Sequence, residues 1–223
     1  MTDYVLVHGA WGHISFYDKV AADLRAAGHR VAVPALTGLG TREGEAHPGI
    51  TLSTHVGDVL AAIDAAGFDR FVLAGHSYGG MIISGIAERI GARIAAITYV
   101  DAFLPHDGAM LWDLATDWER AHYIDGQRDR VGMIRPFPQA PFGLSRHPLL
   151  TLLEPVNADA ALNAIARKTY IFATEGLPGT FGKFRDRATV EGWRVRELPC
   201  SHMVADDLPD ELTQILLEDA DAL

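Results

Sequence analysis

Short apolar runs recur along the chain, separated by stretches of mixed polarity long enough to form helices. Most of the runs are rich in Val, Ile, Leu, Tyr or Phe and end at a glycine, a proline or a polar cluster. This pattern is typical of β-strands that are buried on both faces of a sheet. The runs predict six strands, at residues 4–7, 30–33, 71–74, 94–100, 169–173 and 193–197.

Between these runs, apolar residues recur at the three- and four-residue spacing of amphipathic helices. Ser15 and Asp18 match a capping box, which predicts that the first helix begins there and ends at Gly28. Gly67 predicts the end of the second helix in the same way. This second helix is predicted at residues 54–66, and two more are predicted at residues 81–89 and 207–222.

Alternation of strands and helices predicts βαβ units, and therefore a mostly parallel, doubly wound sheet of class α/β with helices on both faces. Crossovers between parallel strands are right-handed, which determines the direction of winding. Ligands of such sheets bind in the crevice beyond the carboxyl ends of the strands. We therefore look for functional residues directly after the predicted strands.

The alternation stops between residues 103 and 166, where the sequence predicts helical patches but no strand. We expect one domain, residues 1–223, with its core in residues 1–102 and 167–223 and the segment 103–166 inserted as a short helical lid. The lid would leave the core at the carboxyl edge of the sheet, above the expected crevice. Its aromatic residues include Trp112, Trp118, Tyr123, Phe137 and Phe142.

Composition narrows the range of partners. The 223 residues are 48% hydrophobic and carry a formal net charge of −10, so we expect neither nucleic acid nor an anionic membrane as a partner. The sequence shows no secretory signal and no apolar run long enough to span a bilayer. The single cysteine, Cys200, suits a cytoplasmic location and provides no thiolate set for a metal. The expected partner is a small-molecule substrate, and the sequence leaves open whether the chain forms a homodimer.

The most specific motif is Gly75-His76-Ser77-Tyr78-Gly79, which fits the pattern G-x-S-x-G. It follows a predicted buried strand and precedes a predicted helix, which is the context of a nucleophile elbow. Glycine two residues to either side of the serine removes side chains that would collide with the backbone of a sharp turn. Ser77 is therefore the predicted nucleophile.

A serine hydroxyl requires a neighbouring base, which in this arrangement should follow the last strand. His202 lies five residues after Glu197 and directly before the closing helix. His76 flanks the nucleophile and is expected to point elsewhere, and His8 lies at the end of the first strand. His202 is therefore the predicted base.

Two residues compete for the role of the acid that orients His202. Asp101 directly follows the predicted strand 94–100, and Glu175 follows the strand 169–173. Both lie at the expected edge of the sheet and between Ser77 and His202 in chain order. An acidic residue directly behind an apolar strand is costly to bury without a partner, which favours Asp101 and leaves Glu175 as the alternative.

Acyl transfer also requires backbone donors that stabilise the developing oxyanion. The elbow supplies the N–H of Tyr78, and the loop His8-Gly9-Ala10-Trp11 after the first strand supplies a second donor, predicted to be that of Ala10. Trp11, Phe103 and Trp112 are the residues predicted to contact substrate.

Five stretches carry a resemblance to a known family: residues 5–10, 28–31, 75–81, 101–105 and 201–203. In them the chain resembles the α/β-hydrolase superfamily, in its branch of plant-type methylesterases, hydroxynitrile lyases and bacterial esterase relatives. The resemblance implies the α/β-hydrolase fold and a serine–histidine–acid hydrolase without a cofactor, acting on small, often aromatic or terpenoid, esters.

Three positions refine this resemblance. Members that act as lyases carry a threonine and a lysine where this chain has Gly9 and Met203, which favours ester hydrolysis. The family's usual acid is an aspartate near the position of Glu175, and that departure also favours Asp101.

A carboxylesterase that forms an acyl-enzyme is the predicted function, and two alternatives remain open. The same scaffold could act as a lyase, a C–C hydrolase or a cyclase on a polyketide-like substrate, with His202 as the base. It could also serve as a non-catalytic binder of a small ligand.

Overall fold

A computed structural model describes residues 1–138 and 144–221 of the chain, and six of its strands form one parallel sheet. In the order in which they lie side by side, these strands are β2 (Arg30–Ala32), β1 (Asp3–Val7), β3 (Phe71–His76), β4 (Ile94–Val100), β7 (Lys168–Ala173) and β8 (Arg194–Leu198). The α/β-hydrolase fold expected from the sequence is confirmed, and every pairing in the sheet is parallel.

Helices cover both faces of the sheet. Successive side chains of a strand point to opposite faces, so each strand contributes to two hydrophobic clusters, one on either side. Val5 and Val7 pack with helices α2 and α3, whereas Tyr4 and Leu6 pack with α1 and α9. The helices are α1 Asp18–Ala26, α2 Leu52–Ala65, α3 Gly79–Ile90, α4 Leu111–Leu114, α5 Asp117–Asp125, α6 Asp159–Ala164, α7 Gly182–Val190, α8 Val204–Asp207 and α9 Pro209–Asp221. Short 3₁₀ segments lie at Ile14–Tyr17, Gly40–Glu45, Gly91–Arg93 and Leu149–Leu152.

The order of the strands determines where a ligand can bind. From β1 the chain crosses to β2 on one side, and β3 returns to pair with the other side of β1. The crossover helices on the two sides diverge at such a switch point and leave a crevice at the carboxyl ends of the strands. The residues that follow β1 and β3 therefore lie at the centre of that crevice.

The predicted start of the first helix is wrong. The Ser15 side chain does not cap α1; instead the His13 side chain accepts a hydrogen bond from the Ser15 N–H and begins the 3₁₀ turn Ile14–Tyr17, which leads into α1. A 3₁₀ turn at a helix N-terminus satisfies backbone groups locally. The sequence predicted Ser15 as the capping residue, but His13, two positions earlier, caps the 3₁₀ turn.

Helix α7 and the short strands β5 and β6 were missed. Helix α7 was not predicted because its sequence is mostly polar and only Phe184 and Ala188 are buried. Within the segment 103–166, Met133–Ile134 (β5) pairs antiparallel with His147–Pro148 (β6), which corrects the expectation of no strand there. Strands of two residues carry too little periodicity to be recognised. Phe142 and residue 222 lie outside the described residues.

The predicted closing helix is divided at Leu208 into α8 and α9. Pro209 is the first residue of α9, a position where the missing N–H of proline costs no helical hydrogen bond. Across residues 1–138 and 144–221, no helix is both long enough and apolar enough to cross a bilayer.

Candidate active site

A cavity of about 660 Å³ opens at the carboxyl edge of the sheet, between the strand ends and the inserted segment 103–166. The loops after β1, β3, β7 and β8 all contribute to its wall. From these loops come His8, Ala10, Ser77, Glu175 and His202, and the inserted segment adds apolar and aromatic side chains. The structure therefore brings most of the predicted site residues to one cavity.

Ser77 has the backbone of a nucleophile elbow. Its φ is +55°, a left-handed conformation that non-glycine residues rarely adopt. A Cβ on Gly75 would lie 2.7 Å from the carbonyl oxygen of Gly79, and a Cβ on Gly79 would lie 2.7 Å from that of Val7. The two flanking glycines are therefore required by the close approach of the backbone, as the motif predicted.

Asp101, and not Glu175, contacts the predicted base. Oδ2 of Asp101 lies 2.7 Å from Nδ1 of His202, and Oδ1 accepts a hydrogen bond of 3.2 Å from the Ala173 N–H. The Asp101 side chain is fully buried, where a carboxyl group without hydrogen-bond partners would cost free energy. Glu175 is exposed, and its carboxylate forms no hydrogen bond with His202 among the described residues.

His202 is oriented from several sides. The Phe181 ring stacks on its imidazole at 4.9 Å and 11°, and the His76 ring lies at 4.5 Å. Because Nδ1 faces Asp101, Nε2 is the nitrogen left to act as a base. In the described part of the chain, this nitrogen and Ser77 Oγ do not form a hydrogen bond, but both residues line the same cavity. Such hydrogen bonds often tighten only when substrate binds.

His76 has a role that the sequence did not reveal. Its Nε2–H donates to the carbonyl oxygen of His202 at 2.8 Å, and its ring packs on Phe16 at 4.4 Å. Burial holds the pKa of His76 well below 6.5, and the charge of a protonated His202 would lower it further. A neutral His76 thus supports the backbone of His202. Since the two residues are 126 positions apart, no local pattern could indicate the contact.

Two backbone donors beside Ser77 have no acceptor among the described residues. The N–H groups of Ala10 and Tyr78, the predicted oxyanion donors, form no hydrogen bond within residues 1–138 and 144–221. Both residues line the cavity beside Ser77. Buried N–H groups are otherwise nearly always paired, so these two are available to a ligand.

The inserted segment holds the loop after β1 in place through Trp11. The backbone N–H of Trp11 donates to Nδ1 of the buried His147 at 3.3 Å, and the Trp11 carbonyl accepts from the Ser145 N–H at 3.2 Å. The indole Nε1–H of Trp11 donates to the Ile134 carbonyl at 3.0 Å. Since Nδ1 of His147 accepts, its Nε2–H donates to Thr151 Oγ1 at 2.7 Å. These bonds fix Trp11 at φ +58° and so position Ala10.

Of the residues predicted to contact substrate, Trp11 and Phe103 line the cavity and Trp112 does not. Leu111 takes the inward position, and the Trp112 ring packs against Tyr123 with ring centroids 6.3 Å apart. Successive residues of a helix point about 100° apart, so the burial of Leu111 turns Trp112 aside. Glu119 is buried in the cavity wall, and no motif in the sequence indicates it.

His8 is buried at the end of β1 and donates from Nδ1 to the Gly9 carbonyl at 2.9 Å. Burial lowers the pKa of His8 to about 4, so its imidazole is neutral near pH 7. Within the described ranges, no group of three or more His, Cys, Asp or Glu side chains is arranged to hold a metal ion.

Comparison with known proteins agrees with this geometry. A family model described as the alpha/beta hydrolase family matches residues 4–215. The chain belongs to the alpha/beta hydrolase family. Within this family it is 35% identical over 238 residues to the carbendazim hydrolyzing esterase of Nocardioides sp. (strain SG-4G), covering 97% of this chain and 98% of that protein.

A plant relative, Methylesterase 7 of Arabidopsis thaliana, is 29% identical over 196 residues, which cover 82% of this chain and 72% of that protein. Esterase relatives from bacteria and plants support an ester hydrolase. Among solved structures, an extracellular alpha/beta-hydrolase from a Paenibacillus species superposes with a TM-score of 0.84 at 24% identity, covering 98% of this chain and 99% of that one. This likeness shows a shared fold.

Proposed function

We propose that the protein is a cofactor-free serine hydrolase, most specifically a carboxylesterase that forms an acyl-enzyme. Ser77 is the nucleophile, His202 the base, and Asp101 the acid that orients His202. The observation that carries the proposal is the 2.7 Å contact of Asp101 with His202 Nδ1, which leaves Nε2 as a base in the cavity that Ser77 lines.

The reaction proceeds in two halves. His202 Nε2 takes the proton of Ser77 Oγ as this oxygen attacks the ester carbonyl, and the N–H groups of Ala10 and Tyr78 stabilise the oxyanion. Collapse of the tetrahedral intermediate breaks the bond to the alcohol, which receives the proton from His202. Water then attacks the acyl-enzyme with His202 again as the base, and the carboxylic acid leaves with Ser77 restored.

The cavity wall supports a small, mostly apolar substrate. Leu111, Phe137, Leu152 and Phe181 contribute apolar side chains, and no lysine or arginine is among the lining residues that the structure describes. A substrate carboxylate would therefore find no cation to pair with, and burying it would cost free energy. The inserted segment contributes Leu111, Phe137 and Leu152 to the cavity wall, which supports its proposed role as a lid.

Ser77→Ala tests the proposal directly. We expect the wild type to hydrolyse p-nitrophenyl esters and to be labelled by a fluorophosphonate at Ser77, and the variant to lose both properties. A folded wild type that takes no label would contradict an acyl-enzyme. Turnover retained in Ser77→Ala, with products whose carbon count by mass spectrometry differs from hydrolysis, would instead indicate lyase or cyclase chemistry.

A further inference from the structure

One part of the cavity wall is polar and has no role in the proposed ester cleavage. Helix α5 presents Glu119 and Tyr123 to the cavity, four residues apart and therefore on the same face of the helix. Both side chains are almost completely buried in the protein, with 2% and 3% of their surface exposed. Apolar residues of the cavity, among them Leu111 and Phe137, line the same wall.

Among the described residues, hydrogen bonds reach only one oxygen of the Glu119 carboxylate. Oε2 accepts hydrogen bonds from the Thr116 N–H at 2.8 Å and from the Thr116 hydroxyl at 2.6 Å, which completes the capping box of α5. Oε1 has no hydrogen-bond or ion-pair partner within residues 1–138 and 144–221. The neighbouring cations are engaged elsewhere: Lys183 donates to the Leu114 carbonyl, and Arg120 pairs with Asp117.

The Tyr123 hydroxyl likewise forms no hydrogen bond with the described residues. Burial raises the pKa of Tyr123 well above 10, and the charge of Glu119 raises it further. The phenol therefore remains neutral and can both donate and accept. Together the two residues offer the cavity a carboxylate oxygen and a hydroxyl that can pair with a ligand.

When a substrate fills the cavity and excludes water, this carboxylate oxygen loses free energy unless the substrate supplies a hydrogen-bond donor. We propose that Glu119 and Tyr123 form a specificity site for a hydrogen-bond donor on the substrate, so that the preferred substrate is a neutral ester that carries an amino or amide N–H. This proposal rests on the proposed esterase function. It predicts discrimination between esters of equal size that differ only in this donor.

Two methyl esters make the test. Methyl 4-aminobenzoate and methyl 4-methylbenzoate have nearly the same shape, and only the first has an N–H donor. Their intrinsic reactivities differ, but that difference cancels when the ratio of their kcat/KM values is compared between variants. In Glu119→Gln, the amide oxygen can still cap Thr116, because glutamine is accepted in a capping box. The amide NH₂ then replaces the accepting Oε1.

We expect Glu119→Gln to lower the ratio of kcat/KM for the amino ester over the methyl ester by about tenfold, as for loss of a charge-assisted hydrogen bond. Asp117→Asn is the matched control: it removes the same charge from the first turn of the same helix, where the side chain is 99% exposed. Its ratio should equal that of the wild type. Tyr123→Phe should lower the ratio by about threefold, and this variant decides the matter if Glu119→Gln does not fold.

The specificity site would be overturned, and the esterase left intact, if a folded Glu119→Gln kept the wild-type ratio of kcat/KM values within about twofold. If the glutamine variant does not fold, the same result in Tyr123→Phe would overturn it. An equal fall in Asp117→Asn would overturn it as well, because a general effect of charge would then suffice. Failure of the esterase proposal itself is distinguishable: the wild type would then hydrolyse neither ester and take no fluorophosphonate at Ser77.

Discussion

Three residues other than glycine have a left-handed backbone among those described, and all three lie at the site. Trp11, Ser77 and Asp101 have φ values of +58°, +55° and +41°, and each follows a central strand of the sheet. Such conformations cost on the order of 1–3 kcal/mol each and persist only where the surroundings hold them. Here hydrogen bonds hold each residue: the Ser77 N–H donates to the Val100 carbonyl, and that of Asp101 to the Ile171 carbonyl.

At the same scale, the two candidate acids can be separated by one pair of substitutions. Asp101→Asn should lower kcat on the order of 10⁴-fold, because an amide at this position no longer stabilises the His202 imidazolium and disturbs its tautomer. Glu175→Gln should change kcat by less than about tenfold, since its carboxylate forms no bond with His202. Ester hydrolysis at saturating substrate measures both, with circular dichroism to confirm folding. The reverse result would assign the role to Glu175.

At the scale of elements, the position of α3 against β4 depends on the absence of one side chain. A Cβ on Gly80, in the first turn of α3, would overlap the carbonyl oxygen of Phe103 and would lie 3.1 Å from the Ala102 Cβ. The Phe103 N–H in turn donates to the Ser77 carbonyl at 3.1 Å. The elbow, helix α3 and the segment after β4 therefore form one tightly packed unit.

Gly80→Ala should consequently lower the free energy of unfolding by about 1–3 kcal/mol and reduce esterase activity, because the Phe103 segment must move. Gly57→Ala is the matched control within another helix: its Cβ would meet no atom within 4 Å, and relief of glycine's entropy should stabilise α2 by about 0.5–1 kcal/mol. Urea unfolding measures both. Equal stabilities of the two variants would contradict the close approach at Gly80.

At the scale of the whole molecule, buried histidines connect distant parts of the chain. His147 of the inserted segment accepts from Trp11, His55 of α2 lies 2.9 Å from the Tyr78 hydroxyl, and His76 donates to the His202 carbonyl. Burial lowers the pKa of each of these three histidines and that of His8. They are held neutral, and the hydrogen bonds that His147 and His55 accept at Nδ1 exist only in the neutral form.

The stability of the protein should therefore decrease with acid. Because the folded pKa of each group is below its unfolded value of 6.5, the unfolded chain takes up protons first as the pH falls. The contribution of each neutral histidine to the free energy of unfolding is therefore complete above about pH 6.5 and falls below it. Between about pH 7.5 and pH 5.5, the free energy of unfolding decreases by up to about 1.4 kcal/mol per histidine. Urea unfolding at the two pH values measures the loss.

Two variants assign this pH dependence to buried groups. His147→Gln can keep the acceptor for Trp11 but does not titrate, so its loss of stability between the two pH values should be smaller than that of the wild type by about 1 kcal/mol. His106→Asn changes an exposed histidine and should leave the loss as it is in the wild type. A wild type equally stable at both pH values would contradict this account.

Much of this molecule was predictable from local pattern. The six core strands, four of the helices around them and the parallel architecture follow from hydrophobic periodicity, which depends on residues a few positions apart. The elbow around Ser77 was also recognisable, because its glycines answer a local steric requirement. The expected position of His202 after the last strand followed from the order of the strands, and its contact with Asp101 agrees with it.

Only the tertiary structure decided which distant groups meet. It placed Asp101 rather than Glu175 in contact with His202, and it turned Trp112 away from the cavity. It also set His76 behind His202 and left one oxygen of Glu119 without a partner among the described residues. These outcomes depend on side-chain directions and on contacts between residues far apart in the chain. Periodicity reports which face of an element is buried, but hydrogen bonds of about 3 Å depend on how those elements pack together.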